Sequence, residues 1–261
     1  MFSRFKKEMK RYFPYLVYAS KCELKSEVAN SYLNWLWWIL DPLCFMLVYM
    51  FIALVVFKKS EPYFPVYVFI GLTLWNFFSR TISASVVVVK RNKGILSKIY
   101  FPKYMMVIQI MMTQGFKMLI SFVLVTILMG IYQVPISYRV LYALPIVVVL
   151  ILLTFGLCSI LLHFGVFVND LYNVVTVLLR LVMYLSGIFY SIKRLVPQPY
   201  NCLLLYGNPM AYFIDSLREC LLYCRTPNFI VLILWCIVGF LCSIVGVRLI
   251  YRYENSYFKV I

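Results

Sequence analysis

The chain has 261 residues, 64% of them hydrophobic and only 13% charged, and its 25 Lys and Arg against 9 Asp and Glu leave a formal net charge of +16. Soluble globules are nearer half apolar, so this composition excludes an ordinary water-soluble domain and makes lipid the expected solvent. Anionic lipid headgroups account for the positive balance, and nucleic acid is not needed as a partner.

In chain order, residues 1–33 come first. Phe2, Phe5, Met9, Phe13 and Leu16 recur at spacings of three and four, with Arg4, Lys6, Lys7, Lys10 and Arg11 on the other side. This predicts an amphipathic helix lying on the inner membrane surface. Pro14 is expected to bend or break it. The segment is polar, basic and too long for a cleaved leader, so it is expected to remain and to matter. Trp35, Trp37 and Trp38 then mark where the chain enters the bilayer, since indole prefers the interface.

Six apolar stretches follow, at 34–57, 64–89, 104–131, 143–168, 172–192 and 228–251. A helix needs about 20 residues at about 1.5 Å each to cross the hydrocarbon. The expected fold is therefore an all-α membrane protein of six spans, residues 34–261, because lipid tolerates no unpaired strand edge. With the N-terminus inside, 15 of the 25 Lys and Arg fall in inner segments, seven in outer ones and three within spans. That bias puts both termini in the cytoplasm. Of the eight cysteines, Cys44, Cys158, Cys236 and Cys242 lie within spans, which argues against a disulfide framework. Cys220 and Cys224 read as two small apolar residues of one helix.

Three spans carry polar residues at helical spacing. The second has Thr73, Asn76, Arg80 and Ser83; the third has Gln109, Thr113, Lys117 and Ser121; the fifth has Asn173, Thr176, Arg180, Tyr184 and Gly187. Steps of three and four place each set on one face. A charge at mid-bilayer costs about 2.5–3.5 kcal/mol, so Arg80, Lys117 and Arg180 are expected to face a bundle interior or water. Counted from the assumed inner ends at about 1.5 Å per residue, Arg180 lies roughly 12 Å deep, Arg80 about 15 Å and Lys117 about 20 Å. Two readings stand side by side. The stripes are interhelical glue, with Arg80 or Arg180 paired to Asp41 and Lys117 bonded to carbonyls. Alternatively they are a hydrated cationic conduit wall along Asn76, Arg80, Gln109, Thr113, Lys117, Arg180 and Tyr184, since Asp41 is the one acid clearly within a span and offsets a single cation.

Between the second and third spans, residues 90–103 read KRNKGILSKIYFPK. Ile95, Leu96, Ile99 and Tyr100 fall on one side of a short helix that Pro102 stops. So short a helix is marginal in water and needs either the membrane or a groove on another protein. Beyond the fifth span, residues 193–227 are too long and too apolar for a plain loop. Asn208 caps a helix that starts at Pro209, and Asp215, Arg218 and Glu219 are spaced to pair with one another.

His163, the single histidine, sits in the fourth span near Thr154 and Ser159 and reads as a hydrogen-bonded packing residue. One histidine and no cluster of embedded carboxylates assemble neither a metal site nor an acid–base pair. No G-x-x-x-x-G-K-[ST] loop is present, so the chain is not expected to fuel transport itself.

LNWLWWILDPL at 33–43, WNFFS at 75–79, the loop ending Ile-Tyr-Phe-Pro-Lys at 103, Asn169-Asp170-Leu171, Ser186-Gly-Ile-Phe-Tyr190 and Asn208-Pro209 with Arg218 follow one another in a characteristic order. This ordered set resembles the membrane (permease) subunit of ATP-binding-cassette exporters of lipid-linked polysaccharide, the group serving O-antigen, capsule and teichoic acid. The resemblance implies residence in the bacterial cytoplasmic membrane and a homodimer on which two nucleotide-binding ATPase subunits dock, with lipid-linked glycan as cargo. It implies no cofactor on this chain and Mg-ATP on the partner. It makes residues 90–103 a coupling helix, with Arg91, Asn92, Ile95, Leu96, Lys98, Ile99 and Tyr100 toward the ATPase. It makes residues 193–227 short re-entrant helices that help close the outer end, with Phe189, Tyr190, Asn208, Pro209 and Arg218 at the gate. The chain departs from the usual pattern at Tyr32, where a Gly is common, at Asn169, where an Arg is common, and at Gly187, where Ser-Pro is common. The last change is expected to make the gate turn more pliable. An ATP-driven exporter of a drug or small lipid is the nearest rival, followed by a stand-alone secondary transporter or channel, then a membrane glycosyl- or acyltransferase.

Overall fold

The computed structural model describes residues 2–29, 32–51, 62–96 and 101–260. Among these there is no strand. The helices are α1 (Phe2–Val28), α2 (Trp37–Phe51), α3 (Phe64–Arg91), α4 (Lys93–Leu96), α5 (Lys103–Ile131), α6 (Ala143–Phe167), α7 (Leu171–Leu185), α8 (Ile192–Leu195), α9 (Tyr200–Gly207), α10 (Pro209–Leu221) and α11 (Phe229–Val260). Four helical segments, Phe64–Arg91, Lys103–Ile131, Tyr138–Phe167 and Phe229–Glu254, are long and apolar enough to cross a membrane, and Trp37–Phe51 and Leu171–Leu185 are shorter apolar helices. The rest of the first stretch, 52–57, lies outside the described residues. The fifth stretch does not stay helical to 192: α7 ends at Leu185, and the chain turns through Ser186 and Gly187, the latter at φ 63.

α3 is the axis. Val66, Val68, Phe69, Ile70 and Leu74 are fully buried along it, with α5 and α6 on its flanks and α2, α7 and α10 beside it. α6 and α11 form the closest pair. A Cβ on Gly156 would come within 2.7 Å of the Cys242 Cβ and the Ser243 backbone nitrogen, and one on Gly246 within 2.6 Å of the Ser159 Cβ. On the other side of α6, a Cβ on Gly165 would collide with the Val86 carbonyl of α3. Small residues let backbones approach where apolar surface alone drives no association, and Ser243 Oγ adds a bond across the seam to the Leu152 carbonyl at 3.2 Å.

α1 does not break at Pro14; it runs through it. Pro14 is exposed and so is Lys10, whose carbonyl loses its usual donor, so water or headgroups can satisfy that oxygen. The helix docks on α5 through fully buried Leu16, the Phe5 ring stacked on Tyr104 with centroids 5.1 Å apart, and Ser20 Oγ donating to the Gln109 carbonyl at 3.3 Å.

Both ends of the chain meet at this end of the bundle. Arg4 reaches Glu254 of α11 at 3.3 Å, and Glu8 Oε2 accepts from Tyr104 Oη at 2.5 Å and Tyr251 Oη at 2.9 Å. Lys103, almost fully buried, holds its Nζ 3.8 Å from Glu254. Burial works to raise the Glu8 pKa, but the hydrogen bonds from Tyr104, Arg4 and Tyr251 and the Arg4 charge outweigh it and hold the carboxyl below the usual range.

Two outcomes follow from this packing. Gly156→Val and Gly165→Val should each lower stability by about 1–3 kcal/mol through overpacking, read as lower melting midpoints of the detergent-solubilised chain; unchanged midpoints would contradict the close approach. Because Glu8 has a depressed folded-state pKa, its contribution is present above 4.5 and is lost as pH falls through the folded value. Glu8→Gln should therefore melt below the parent at neutral pH, with the gap closing on acidification; a constant gap would refute the ionised network.

Candidate functional site

The residues expected at the outer gate come together around one arginine. Arg218, only 3% exposed, points inward from α10. It donates from Nε to the Tyr67 carbonyl at 3.1 Å, from Nη1 to the Gly187 carbonyl at 2.9 Å and from Nη2 to the Ile188 carbonyl at 2.7 Å, while its guanidinium lies 3.4 Å from the Tyr67 ring centroid. Gly71 supplies the room: a Cβ there would meet the guanidinium at 2.8 Å. The expected local pairing of Arg218 with Asp215 and Glu219 is not what forms. Lys193 of α8 takes both acids, at 2.6 Å and 2.5 Å. Three well-aimed carbonyls in a water-poor site outbid an exposed helical ion pair worth about 0.3–0.5 kcal/mol. Burial opposes the charge on Lys193, but Asp215 and Glu219 together raise its pKa.

The other residues expected at the gate extend the knot. Asn208 caps α10 by accepting from the Met210 amide at 3.0 Å, with Pro209 at the first helical position, and its Nδ2 donates to Ser186 Oγ at 3.0 Å. Tyr67 Oη donates to the Tyr190 carbonyl at 3.2 Å, Tyr190 Oη to the Tyr184 carbonyl at 2.9 Å, and Phe189 stacks on Tyr49 of α2. Gly187 is bonded into the same knot. Its left-handed φ of 63 aims a carbonyl at Arg218, and proline, fixed near −65°, cannot adopt it. Ile192, Leu205 and Ala211 give α8–α10 a small core of their own.

Of the polar stripes, those on α3 and α5 meet and that on α7 stays apart. Trp38 and Asp41 of α2, Thr73, Asn76 and Arg80 of α3, and Gln114, Lys117 and Ser121 of α5 line one narrow cavity with room for little more than water. Arg80 pairs with Asp41 at 2.5 Å, one of the two partners expected for that acid. Among the described residues Lys117 bonds no carbonyl, where the glue reading supposed it would. It pairs with Glu27 of α1 at 2.5 Å and lies 5.8 Å from the Trp38 ring. Gln109 Nε2 and Thr113 Oγ1 donate to Glu23 at 3.3 Å and 3.2 Å. A helix bearing Lys21, Lys25 and Ser26 cannot lie in hydrocarbon, so Lys117, which it reaches, meets a polar partner there and not lipid tails alone. Arg180 and Tyr184 are exposed on α7, whose single buried side chain is Val175, and Arg180 makes no ion pair or hydrogen bond among the described residues.

Reading the sequence missed Glu23, Glu27, Gln114 and Tyr67. Glu23 and Glu27 form an i,i+4 acidic pair in a helix whose other charged residues are basic save Glu8, a signal that was present; nothing near Tyr67 announced its carbonyl as an arginine acceptor.

In the segment expected to couple to a partner, Arg91 is exposed, Asn92 ends α3 with its Nδ2 donating to the Val88 carbonyl at 2.8 Å, and Leu96 is buried. Arg91, Asn92 and Leu96 share a cavity with Tyr12, Tyr15 and Tyr18 of α1 and with Phe101. The Ile95 side chain, Lys98, Ile99 and Tyr100 lie outside the described residues. His163 is a hydrogen-bonded packing residue, but its partner is Tyr257 of α11, Nδ1 to Oη 2.7 Å, and not Thr154 or Ser159, whose hydroxyls bond their own helix.

The family model described as ABC-2 type transporter matches residues 16–222, and the chain belongs to that family. It is 30% identical over 228 residues to the O-antigen export system permease protein RfbA of Myxococcus xanthus, with 86% of each chain covered. A protein of the same name from Klebsiella pneumoniae is 26% identical over 250 residues, with 95% of each covered, and a second from that organism is 24% identical over the same length.

The arginine knot makes a direct forecast. Arg218→Met leaves the Tyr67, Gly187 and Ile188 carbonyls without donors and should cost about 3 kcal/mol or more; Arg218→Lys, which cannot fork to three acceptors, should recover little of it. Thermal melts of both variants decide this, and a lysine variant as stable as the parent would refute the geometry.

Proposed function

We propose that this ABC-2 type transporter is the permease subunit that, as a homodimer in the bacterial cytoplasmic membrane, exports a lipid-linked polysaccharide. In this reading ATP, as Mg-ATP, is hydrolysed on two separate nucleotide-binding subunits. The observation that carries the proposal is similarity over nearly the whole chain to three proteins named as O-antigen export permeases, together with the family match over 16–222.

The geometry supports the division of labour. Residues 1–33 form the interface segment and residues 34–261 a six-span domain, with both termini cytoplasmic. The meeting of Arg4 with Glu254 supports an even number of crossings. Residues 90–103 carry the coupling helix, through Arg91, Asn92, Ile95, Leu96, Lys98, Ile99 and Tyr100. α3 begins at the arginine knot and ends in that loop. Its 28 residues make a rod about 42 Å long. A displacement imposed at the loop by the ATPase is carried along this rod to the Tyr67 carbonyl, and through Arg218 to the turn holding Phe189 and Tyr190. That coupling makes the knot, with Asn208 and Pro209, the outer closure, and makes α8–α10 the re-entrant segment. The path for the anionic part of the cargo runs along Asn76, Arg80, Gln109, Thr113 and Lys117. Arg180 and Tyr184 on the exposed face of α7 complete it against the second copy.

Deleting the gene in its host should abolish surface polysaccharide and leave lipid-linked glycan on the inner face, with recovery from a plasmid-borne copy. The tagged chain should co-purify with an ATPase. Unchanged surface glycan would refute the cargo, and transport without any ATPase would place the chain among stand-alone transporters.

A further inference from the structure

The last helix carries one unbroken row on the side it turns away from the bundle. Ile230, Leu234, Ile237, Leu241 and Val245 are exposed and follow one another at steps of three and four, so they share a face. Arg248 and Arg252 continue the row at the same steps, and both are exposed. The other side of α11 is committed to protein. Gly239, Ser243 and Gly246 meet α6, and Glu254 takes Arg4 at 3.3 Å and Lys103 at 3.8 Å. Neither Arg248 nor Arg252 has an ion pair or a hydrogen bond among the described residues. The Tyr253 ring lies 5.8 Å from the Arg252 guanidinium.

Length fixes the depth of the two arginines. α11 starts at Phe229, where the Asn228 side chain accepts from the Ile230 amide at 3.2 Å. From Phe229 to Arg248 the axis rises about 28 Å at about 1.5 Å per residue, against a hydrocarbon core of about 30 Å. With the apolar row against lipid tails, Arg248 reaches the level of the phosphates and Arg252 lies one turn beyond. Two like charges at this spacing repel each other, and the row brings no acid to relieve them. A zwitterionic headgroup would set its own ammonium beside two guanidiniums. A headgroup with two phosphodiesters offers one to each arginine, and the planar fork of a guanidinium fits a phosphate at both oxygens. A free anion would gain nothing from the apolar row.

We propose that Arg248 and Arg252 hold an anionic phospholipid with two phosphodiesters, of the cardiolipin class, in the leaflet at this end of the bundle, its acyl chains lying along Val245, Leu241 and Ile237. This lipid is a bound companion of α11 and not cargo, so the site stands whichever cargo the chain carries. No covalent step is involved. The same stretch of α11 holds Tyr251 to Tyr104 of α5, Glu254 to Arg4 of α1 and Tyr257 to His163 of α6. A lipid seated on Arg248 and Arg252 therefore steadies the end of the bundle where these helices meet.

The test is native mass spectrometry of the purified full-length chain in detergent, titrated in parallel with cardiolipin, phosphatidylglycerol, phosphatidylcholine and soluble glycerol 3-phosphate. The parent should bind cardiolipin roughly tenfold more tightly than phosphatidylglycerol, and phosphatidylcholine most weakly. Arg248→Gln and Arg252→Gln should each weaken cardiolipin roughly tenfold and bring it level with phosphatidylglycerol. Cardiolipin should also raise the melting midpoint of the parent and leave that of the double variant Arg248→Gln with Arg252→Gln unmoved. Both positions are exposed, so the lipid-free variants should melt with the parent; the ranking of lipids on the parent needs no substitution at all. Lys21→Gln removes an exposed cation of α1 away from the row, and a loss of equal size there would overturn the site in favour of overall charge. Cardiolipin affinity unchanged in both arginine variants would overturn it as well. Phosphatidylglycerol bound by the parent as tightly as cardiolipin would overturn the two-phosphate assignment, and glycerol 3-phosphate bound as tightly would overturn the lipid source.

Discussion

A cation carried toward hydrocarbon has to be compensated by the protein, since lipid tails offer neither a counter-ion nor a hydrogen bond. Arg218 meets that demand with backbone carbonyls, Arg80 with an aspartate of the neighbouring helix, and Lys117 with a glutamate of the first helix of the chain. These three solutions fix which elements must lie side by side. Arg218 ties α10 to α3 and to the turn after α7; Arg80 ties α2 to α3; Lys117 ties α1 to α5. Apolar packing supplies most of the contact area, and the cations fix the register.

The three ties differ in rigidity. The Arg218 knot is buried, bonded to three acceptors and backed by the Tyr67 ring, so it behaves as part of the core. The Arg80 and Lys117 pairs lie at a partly open cavity, where a salt bridge is worth little and exchanges readily. The chain thus sets one stiff polar tie beside two that can break and reform cheaply.

Much of the fold was legible from residue order. Apolar runs and their spacing marked the long helices, the three- and four-residue spacing of Phe5, Met9 and Leu16 marked α1, and Asn208-Pro209 marked the start of α10. Long-range partners were not. Glu27 and Lys117 are 90 residues apart, and an acid in a surface helix carries no sign that it will run beside the third span. Arg218 misled because the Asp215 spacing advertised a local pair, while the decisive acceptors were main-chain oxygens, which every residue has. Nor did Gly187 announce that its left-handed φ points a carbonyl at a guanidinium. The role of His163 was legible and its partner was not, because Tyr257 lies on an extension of α11 beyond the apolar run.

The bond between Arg4 and Glu254 joins the first turn of the molecule to the far reach of its final helix, and the Gly156–Gly246 seam clamps that final helix to α6. The first and last helices are thus joined with α6 into a single brace at this end of the bundle. A tug on α1 is therefore passed to the two most tightly interlocked rods of the bundle.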